Sequence, residues 1–131
     1  MAVFSHHQLP IHDVPRIKTR ILVGEGSGAE STTVWEQWIH VGGYIPLHYH
    51  EEEEALVLLA GRVSLTMAAE SSSVLSPSTI LIPPQVVHGL TPEGNEQVHL
   101  VAFFPVASPK IFAPDGTLRP MPWEDRRSPD G

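Results

Sequence analysis

The 131-residue sequence contains no cysteine. This absence excludes disulfides, thiol nucleophiles and zinc sites with cysteine ligands. A chain without cysteine is compatible with a reducing compartment, and we expect a cytoplasmic location.

Basic residues are also scarce. Eight Lys and Arg stand against fifteen Asp and Glu, the net charge is −7 with neutral histidines, and only Arg126 and Arg127 are clustered. Nucleic acids and anionic membranes bind basic surfaces, so neither is expected as a partner. The longest apolar run, residues 55–61, is too short to span a bilayer, and the first ten residues lack the basic and apolar regions of a signal peptide.

Helix-forming residues do not dominate the composition, whereas 13 prolines and 10 glycines punctuate the chain. This balance favours many short strands joined by turns. Alternating and β-branched patterns predict strands over residues 16–23, 32–41, 44–49, 55–60, 63–68, 79–82 and 96–104. We expect the fourth and fifth strands to form a hairpin and the polar residues 70–73 to form a turn. So many short strands without a convincing helix predict an all-β barrel or sandwich.

The length and composition indicate a single domain with three parts. Residues 1–15 form an extended lead-in, residues 16–104 form the β-barrel, and residues 105–131 form a proline-rich tail that contains six of the 13 prolines. We expect the tail to wrap the domain or a partner subunit. The strands over residues 16–23 and 32–41 would have exposed apolar edges, which a second copy of the chain would cover, so we expect a homodimer.

A glycine-rich segment and a histidine pair could each suggest a ligand site. Residues 24–29 match the dinucleotide fingerprint GxGxxA, but that fingerprint needs a following helix, and the β-branched residues that come next favour a strand. An inter-strand loop is the better interpretation. The adjacent His6 and His7 are too few and too early to count as a metal site on their own.

Eight histidines are unusual in so short a chain, and His48 and His50 are spaced to chelate. Residues i and i+2 of a strand point to the same face, so both imidazoles can reach one ion. Glu54 follows after a short loop and could fold back as an oxygen donor. His88 comes from a different strand and would close the site.

Each of these residues also has an ordinary interpretation. A His-x-His pair is common on exposed strands, Glu54 alone could be a surface residue, and His88 could be a hydrogen-bonded wall residue. Their joint spacing with glycines and prolines favours a site. Three imidazoles and one carboxylate suit Fe, Mn, Ni, Co, Cu or Zn and disfavour Ca and Mg.

The spacing resembles the cupin superfamily. Its first motif, G(X)5HXH(X)3–4E(X)6G, is matched at every fixed position from Gly42 to Gly61. Its second motif, G(X)5PXG(X)2H(X)3N, is matched at Pro83 and His88. The departures are Pro77 and Gln85 at the two glycine positions and Pro92 at the asparagine position.

The resemblance implies a small double-stranded β-helix, or jelly-roll, cupin barrel. It also implies one divalent transition metal per chain inside the barrel, held by His48, His50, Glu54 and His88. A dry cavity lined by Leu56, Leu58, Val86 and aromatic residues would surround the ion. Glu54 could also act as a catalytic base.

Cupins include dioxygenases, decarboxylases, isomerases, lyases and binding domains, and fold alone does not choose among them. We expect a metal-dependent enzyme that acts on a small organic substrate, with dioxygenase-like oxidation of an enol or phenol favoured. The alternatives are a metal-dependent lyase or isomerase, a non-catalytic small-ligand-binding or accessory cupin, and a structural domain without metal. Structural roles are expected for the tyrosines Tyr44 and Tyr49 and for His40 and His99.

Overall fold

The structure, a computed structural model, describes residues 2–123, which form short strands and two 3₁₀ turns, His6–Gln8 and Glu25–Ser27. None of the helical turns in that part of the chain approaches the length and apolarity needed to cross a bilayer. The strands are β1 His12–Val14, β2 Ile17–Val23, β3 Thr33–Ile39, β4 Ile45–His48, β5 Glu54–Ala60, β6 Arg62–Met67, β7 Glu70–Leu75, β8 Ser78–Ile82, β9 His88–Glu93, β10 Val98–Phe104, β11 Ile111–Phe112 and β12 Leu118–Arg119.

Two antiparallel sheets build the domain. The larger has six strands in the order β1-β2-β3-β10-β5-β8, and the smaller has four in the order β4-β9-β6-β7. Strands β11 and β12 form a separate hairpin. The all-β, single-domain jelly-roll barrel that the sequence resemblance implies is therefore confirmed.

The core lies between the two sheets because their strands alternate between buried and more exposed positions. In β5, for example, Leu56 and Leu58 are buried while Leu59 is 47% exposed. Burying side chains of this size stabilises the folded state by about 1.5–3 kcal/mol each. The main buried cluster consists of Ile39, Leu56, Leu58, Val63, Leu65, Ile80, Ile82, Leu90, Val98 and Leu100.

The predicted hairpin between residues 55–60 and 63–68 is wrong. Strand β5 pairs with β10 and β8 in the larger sheet, whereas β6 pairs with β9 and β7 in the smaller one. Between them Gly61 has φ +93°, and a Cβ there would lie 3.1 Å from the backbone of Val98. Glycine tolerates this conformation, so the chain turns sharply from one sheet to the other.

The predicted turn over residues 70–73 is also wrong, because these residues belong to β7. The true hairpin joins β6 to β7 through Ala68 and Ala69, which have φ angles of +52° and +66°. Strand β7 is the edge of the smaller sheet, and most of its side chains are exposed. Its serine-rich composition reflects this exposure rather than a turn.

The segments outside the expected barrel contain short strands of their own. Strand β1 pairs with β2, so the end of the lead-in extends the larger sheet. Strand β3 has a neighbour on both sides, and β1 covers residues 17–19 of β2, so the expected open edge is reduced to residues 20–23 of β2. The described part of the tail forms β11 and β12. Its last residues, 124–131, with Arg126 and Arg127, lie outside the described part of the chain.

Candidate metal centre

The four candidate ligands converge because of strand pairing. His48 ends β4 and His88 begins β9, and the two residues are Cα partners in the antiparallel register. His50 follows two residues after His48, as the His-x-His spacing predicts. Glu54 begins β5, and its side chain shares the inward face with Leu56.

All four side chains are buried, with relative exposures from 2% to 8%. One ring nitrogen from each of His48, His50 and His88 lies within 4.8 Å of the others. Glu54 Oε1 is 3.2 Å from His88 Nε2 and 3.7 Å from His50 Nε2. The structure therefore brings together the residues that the sequence singled out.

A backbone carbonyl fixes the orientation of each imidazole. The Nδ1 atoms of His48, His50 and His88 lie 2.7, 2.7 and 2.9 Å from the carbonyl oxygens of Pro46, Lys110 and Val86. A carbonyl oxygen can only accept, so each Nδ1 carries a proton, and in the neutral ring each Nε2 presents a lone pair. Metal-binding histidines typically have their second ring nitrogen oriented in this way.

The cavity also keeps His48 and His50 neutral. Burial, followed by repulsion between positive charges on His48 and His88, lowers the pKa of His48 to about 3. Burial lowers the pKa of His50 as well, although the nearby Glu54 carboxylate partly opposes this effect. Neutral imidazoles can bind a metal without first losing a proton.

Glu54 tests whether a cation fits this site. Its Oε1 atom is buried and has no hydrogen-bond partner within the described residues. A buried, unpaired carboxylate is costly, and buried charges are normally paired or coordinated to metal. A divalent ion bound by three imidazoles would provide the missing positive charge, so the donor set fits a transition metal.

A cavity of about 130 Å³ adjoins the four residues. Most of its wall is apolar, and its polar positions besides the candidate ligands include Thr19, Gln37 and Arg119. Leu56 lines it as expected, whereas Leu58 belongs to the core and Val86 contributes only a backbone carbonyl to the site. The other apolar lining residues are Val14, Ile17, Trp35, Ile45, Pro46, Leu90, Leu100, Ile111, Pro120, Met121, Pro122 and Trp123.

The tail completes this cavity, a role that sequence analysis missed. Phe112 exchanges two backbone hydrogen bonds with Tyr49, at 2.9 and 3.0 Å, and their rings stack 5.2 Å apart. Trp123 stacks on His12 and contacts Trp35 edge to face. The aromatic residues and prolines of the tail were the available signal, but they did not indicate which surface the tail covers.

The remaining tyrosine and histidine candidates lie outside the cavity. Tyr44 is 58% exposed and His40 is also exposed. His99 points to the outer face of the larger sheet, where its Nε2 lies 2.8 Å from Glu36 and its ring stacks on Trp38. These contacts give His99 a structural role at a distance from the candidate ligands.

Comparison with known proteins agrees with this fold. The polyketide cyclase RemF from Streptomyces resistomycificus superposes with a TM-score of 0.70 at 20% identity, covering 80% of this chain and 79% of that chain. KdgF from Halomonas sp. gives 0.67 at 17% identity, covering 80% and 94%. An oxalate decarboxylase from Lactobacillus farciminis, solved as a formate complex, gives 0.72 at 21% identity, covering 81% and 34%.

Identities this low establish the fold alone. No curated protein matches the sequence. The family model described as the cupin domain matches residues 35–104, which is just over half of the chain and includes all four candidate ligands. The chain therefore belongs to the cupin domain family.

Proposed function

We propose that this protein is a metal-dependent enzyme whose single divalent transition metal is held by His48, His50, Glu54 and His88. The observation that carries this proposal is the common orientation of the three imidazoles. Each Nδ1 is tied to a backbone carbonyl. The Nε2 atoms of His50 and His88 lie 3.7 and 3.2 Å from Glu54 Oε1, a buried oxygen that has no hydrogen-bond partner among the described residues. A structural core would not need three oriented acceptors around one unpaired charge.

The cavity favours a small and largely apolar substrate. Its volume of about 130 Å³ is close to that of an engineered apolar cavity of roughly 150 Å³ that binds benzene. Trp35 offers a flat aromatic face and Leu100 an aliphatic contact, while Gln37 and Thr19 provide polar groups. A single-ring phenol or a short enol therefore matches the cavity in size and polarity.

Dioxygenase-like oxidation of an enol or phenol is the favoured reaction. A bound redox-active ion would supply a site where the deprotonated substrate oxygen and dioxygen can react. Both oxygen atoms of O₂ can enter the product, so this reaction needs no external reductant. Glu54 would leave the ion to accept the proton that the substrate hydroxyl loses.

A redox-neutral cyclase, lyase or isomerase reaction is the second candidate. The fold likeness to the polyketide cyclase RemF, which covers 80% of this chain, supports it. The same metal would polarise a carbonyl, and Glu54 would take a proton from the neighbouring carbon. This reaction would leave substrate and product with equal mass or release a small fragment, with no consumption of oxygen.

Oxygen uptake and product mass together test the proposal. The full-length protein would be loaded separately with Fe, Mn, Co, Ni, Cu and Zn and offered single-ring phenols, catechols, enols and β-diketones. We expect oxygen uptake with a redox-active ion and a product heavier by two oxygen atoms.

Three outcomes lead elsewhere. Conversion without oxygen uptake would favour the redox-neutral reaction. Tight ligand binding without conversion would favour an accessory role, and full activity in His88→Ala would remove the site from the account. His40→Ala is the matched control, because His40 is exposed and lies outside the cavity.

A further inference from the structure

Arg119 is the one cationic side chain among the described residues that line the cavity of the metal centre. It ends β12, in the hairpin of the tail, and is partly buried. Its Nη1 donates a hydrogen bond of 3.2 Å to the backbone carbonyl of Leu47. Leu47 directly precedes His48, so the tail places a guanidinium beside the candidate ligands.

Among the described residues this guanidinium forms no salt bridge, and the exposed Asp115 carboxylate acts on it only from beyond 4.0 Å. Within residues 2–123, no carboxylate lies within 4.0 Å of Arg119, whereas Arg20 pairs with Glu36 at 3.3 Å. A guanidinium has five N–H donors in a planar fork, and the hydrogen bond to Leu47 uses one of them. The remaining donors can bind a carboxylate in the bidentate geometry that arginine favours.

The surrounding wall makes this position selective. Most of the cavity lining is apolar, so an acidic group that enters without a partner would lose its hydration and gain little in return. A charge-assisted hydrogen bond is stronger where the dielectric constant is low. An acid paired with Arg119 would therefore be accepted, and one placed elsewhere on the wall would be rejected.

We propose that Arg119 binds the carboxylate of the substrate, which makes the substrate a small, single-ring or short-chain acid that also carries the reacting enol or phenol. This inference rests on the proposed function for the role of the reacting oxygen. It adds the class of molecule that the site admits. The substrate would span the cavity, with its acid group at Arg119 and its hydroxyl at the histidines.

Two probes separate the charge of the acid from its shape. Para-hydroxybenzoate carries the carboxylate, and para-hydroxybenzamide is a neutral molecule of nearly the same size. Binding to the zinc-loaded full chain can be followed by quenching of tryptophan fluorescence, because Trp35 and Trp123 line the cavity, and by calorimetry. We expect the benzoate to bind at least about tenfold more tightly than the benzamide, since hydrogen bonds to charged groups are the stronger class.

Three variants assign that preference to one residue. In Arg119→Gln the affinity for the benzoate should fall by about ten- to a hundredfold, while the affinity for the benzamide stays the same. Arg119→Lys keeps the charge without the fork and should retain part of the preference. Arg62→Gln removes an exposed arginine outside the cavity and should change neither affinity.

Several results would overturn the inference. These are equal binding of the two probes, no binding of either, an unchanged benzoate affinity in Arg119→Gln, or an equal loss for both probes together with a lower melting temperature. The last result would mean that Arg119 only ties the tail to Leu47. If Arg119→Gln does not fold, comparing the two probes in the wild-type protein and in Arg119→Lys still tests whether Arg119 binds the carboxylate.

The outcome is also separable from that of the proposed function. If the protein turns over neutral phenols and Arg119 has no influence on this reaction, the proposed acid site is wrong and the proposed enzymatic function stands. If benzoate binding depends on charge but no metal supports turnover, the proposed acid site stands and the proposed enzymatic function is wrong.

Discussion

Glu54 has a buried carboxylate oxygen that lacks a hydrogen-bond donor among the described residues. It is 5% exposed, and its Oε1 lies among histidine nitrogens that cannot all donate to it. His88 could donate to it only by giving up the Nδ1 proton that now bonds to the Val86 carbonyl, or by becoming charged. A cation bound at the histidine nitrogens would give Glu54 Oε1 a positively charged partner without moving any of these protons.

The ligand residues give the first prediction. His50→Ala and His88→Ala should each lose the bound metal, and the melting temperature of the metal-treated protein should fall to that of the metal-free protein. Stabilisation by a ligand is lost with its binding and amounts to about 2.7 kcal/mol at a concentration one hundred times Kd. Glu54→Gln should weaken metal binding less than either histidine substitution does, but it should impair proton transfer. Elemental analysis and calorimetric melting measure these effects.

His40→Ala is the control for this series and should retain both metal and melting temperature. Full metal content in either His50→Ala or His88→Ala would contradict the ligand assignment. It would direct attention to other histidines, such as the pair His6 and His7.

The lowered pKa of His48 gives a prediction for the metal-free protein. Its pKa is about 3 in the folded state and about 6.5 in the unfolded chain. Between these values the unfolded chain binds a proton that the folded chain does not. The free energy of unfolding should therefore fall as pH is lowered from 6.5 towards 3, by up to about 1.4 kcal/mol per pH unit from this residue.

Above pH 6.5 the contribution of His48 should be constant. His50 adds to the fall in the same direction, because its pKa is lowered too. Denaturant unfolding at pH 7.5 to 4 measures the slope, and His48→Gln should have a shallower one. Equal slopes in the variant and the wild-type chain would show that His48 is not buried in neutral form.

Residue patterns predicted the candidate ligands better than they predicted the rest of the cavity. The positions of His48, His50 and His88 follow from local spacing and from the family motif, because each lies at or beside a strand end. The inward direction of Glu54 was available from its alternation with Leu56 and Leu58. The place of Arg119 was not, because it depends on where a tail hairpin docks on β4.

At the scale of elements, the approach of β4 to β9 holds the site together. Gly89 directly follows His88, and a Cβ at Gly89 would lie 2.8 Å from the Ile45 carbonyl oxygen and 3.2 Å from the Leu47 nitrogen. Both of those atoms are backbone and cannot swing aside. The glycine therefore allows the two strands that carry His48 and His88 to lie in register.

Gly89→Ala should separate these strands. We expect a loss of about 1–3 kcal/mol in the free energy of unfolding, as for other overpacked sites, and a weaker metal affinity. Denaturant melts and metal titration measure the two effects. Gly26→Ala is the matched control, because a Cβ at Gly26 meets nothing within 4 Å. An unchanged metal affinity in Gly89→Ala would contradict the role of this strand pair.

Strand partners were harder to predict than strands. The apolar run of β5 and the alternation of β6 identified both strands, but adjacency along the chain suggested a hairpin that does not form. Partner choice depends on the turn at Gly61 and on which face each strand buries, and both are set by the whole barrel. At Gln85 the chain adopts φ +64° where the family motif has glycine, so the turn keeps its shape despite the substitution.

At the scale of the molecule, the outer face of the larger sheet carries an exposed apolar patch on β5, β8 and β10. Phe103 and Leu81 both pair in register with Ala55 and are 42% and 58% exposed, and Leu59 on the same face is 47% exposed. Adjacent exposed apolar side chains of this kind mark interaction surfaces. Because β3 has no open edge and β1 covers part of β2, this face is the better basis for the expected homodimer.

Light scattering after gel filtration tests that expectation. The wild-type chain should elute with twice the mass of one chain, and the double variant Leu81→Lys with Phe103→Lys should elute as a monomer that keeps its metal. A wild-type mass of one chain would contradict the dimer. Unchanged dimers in the double variant would place the interface elsewhere.

Anomalous X-ray scattering from crystals of the full chain loaded with cobalt or zinc tests the central claim most directly. The account predicts one anomalous peak per chain, within about 2.0–2.2 Å of the Nε2 atoms of His48, His50 and His88 and of a Glu54 oxygen. A cavity without a peak, or a peak bound only by surface histidines such as His6 and His7, would contradict it.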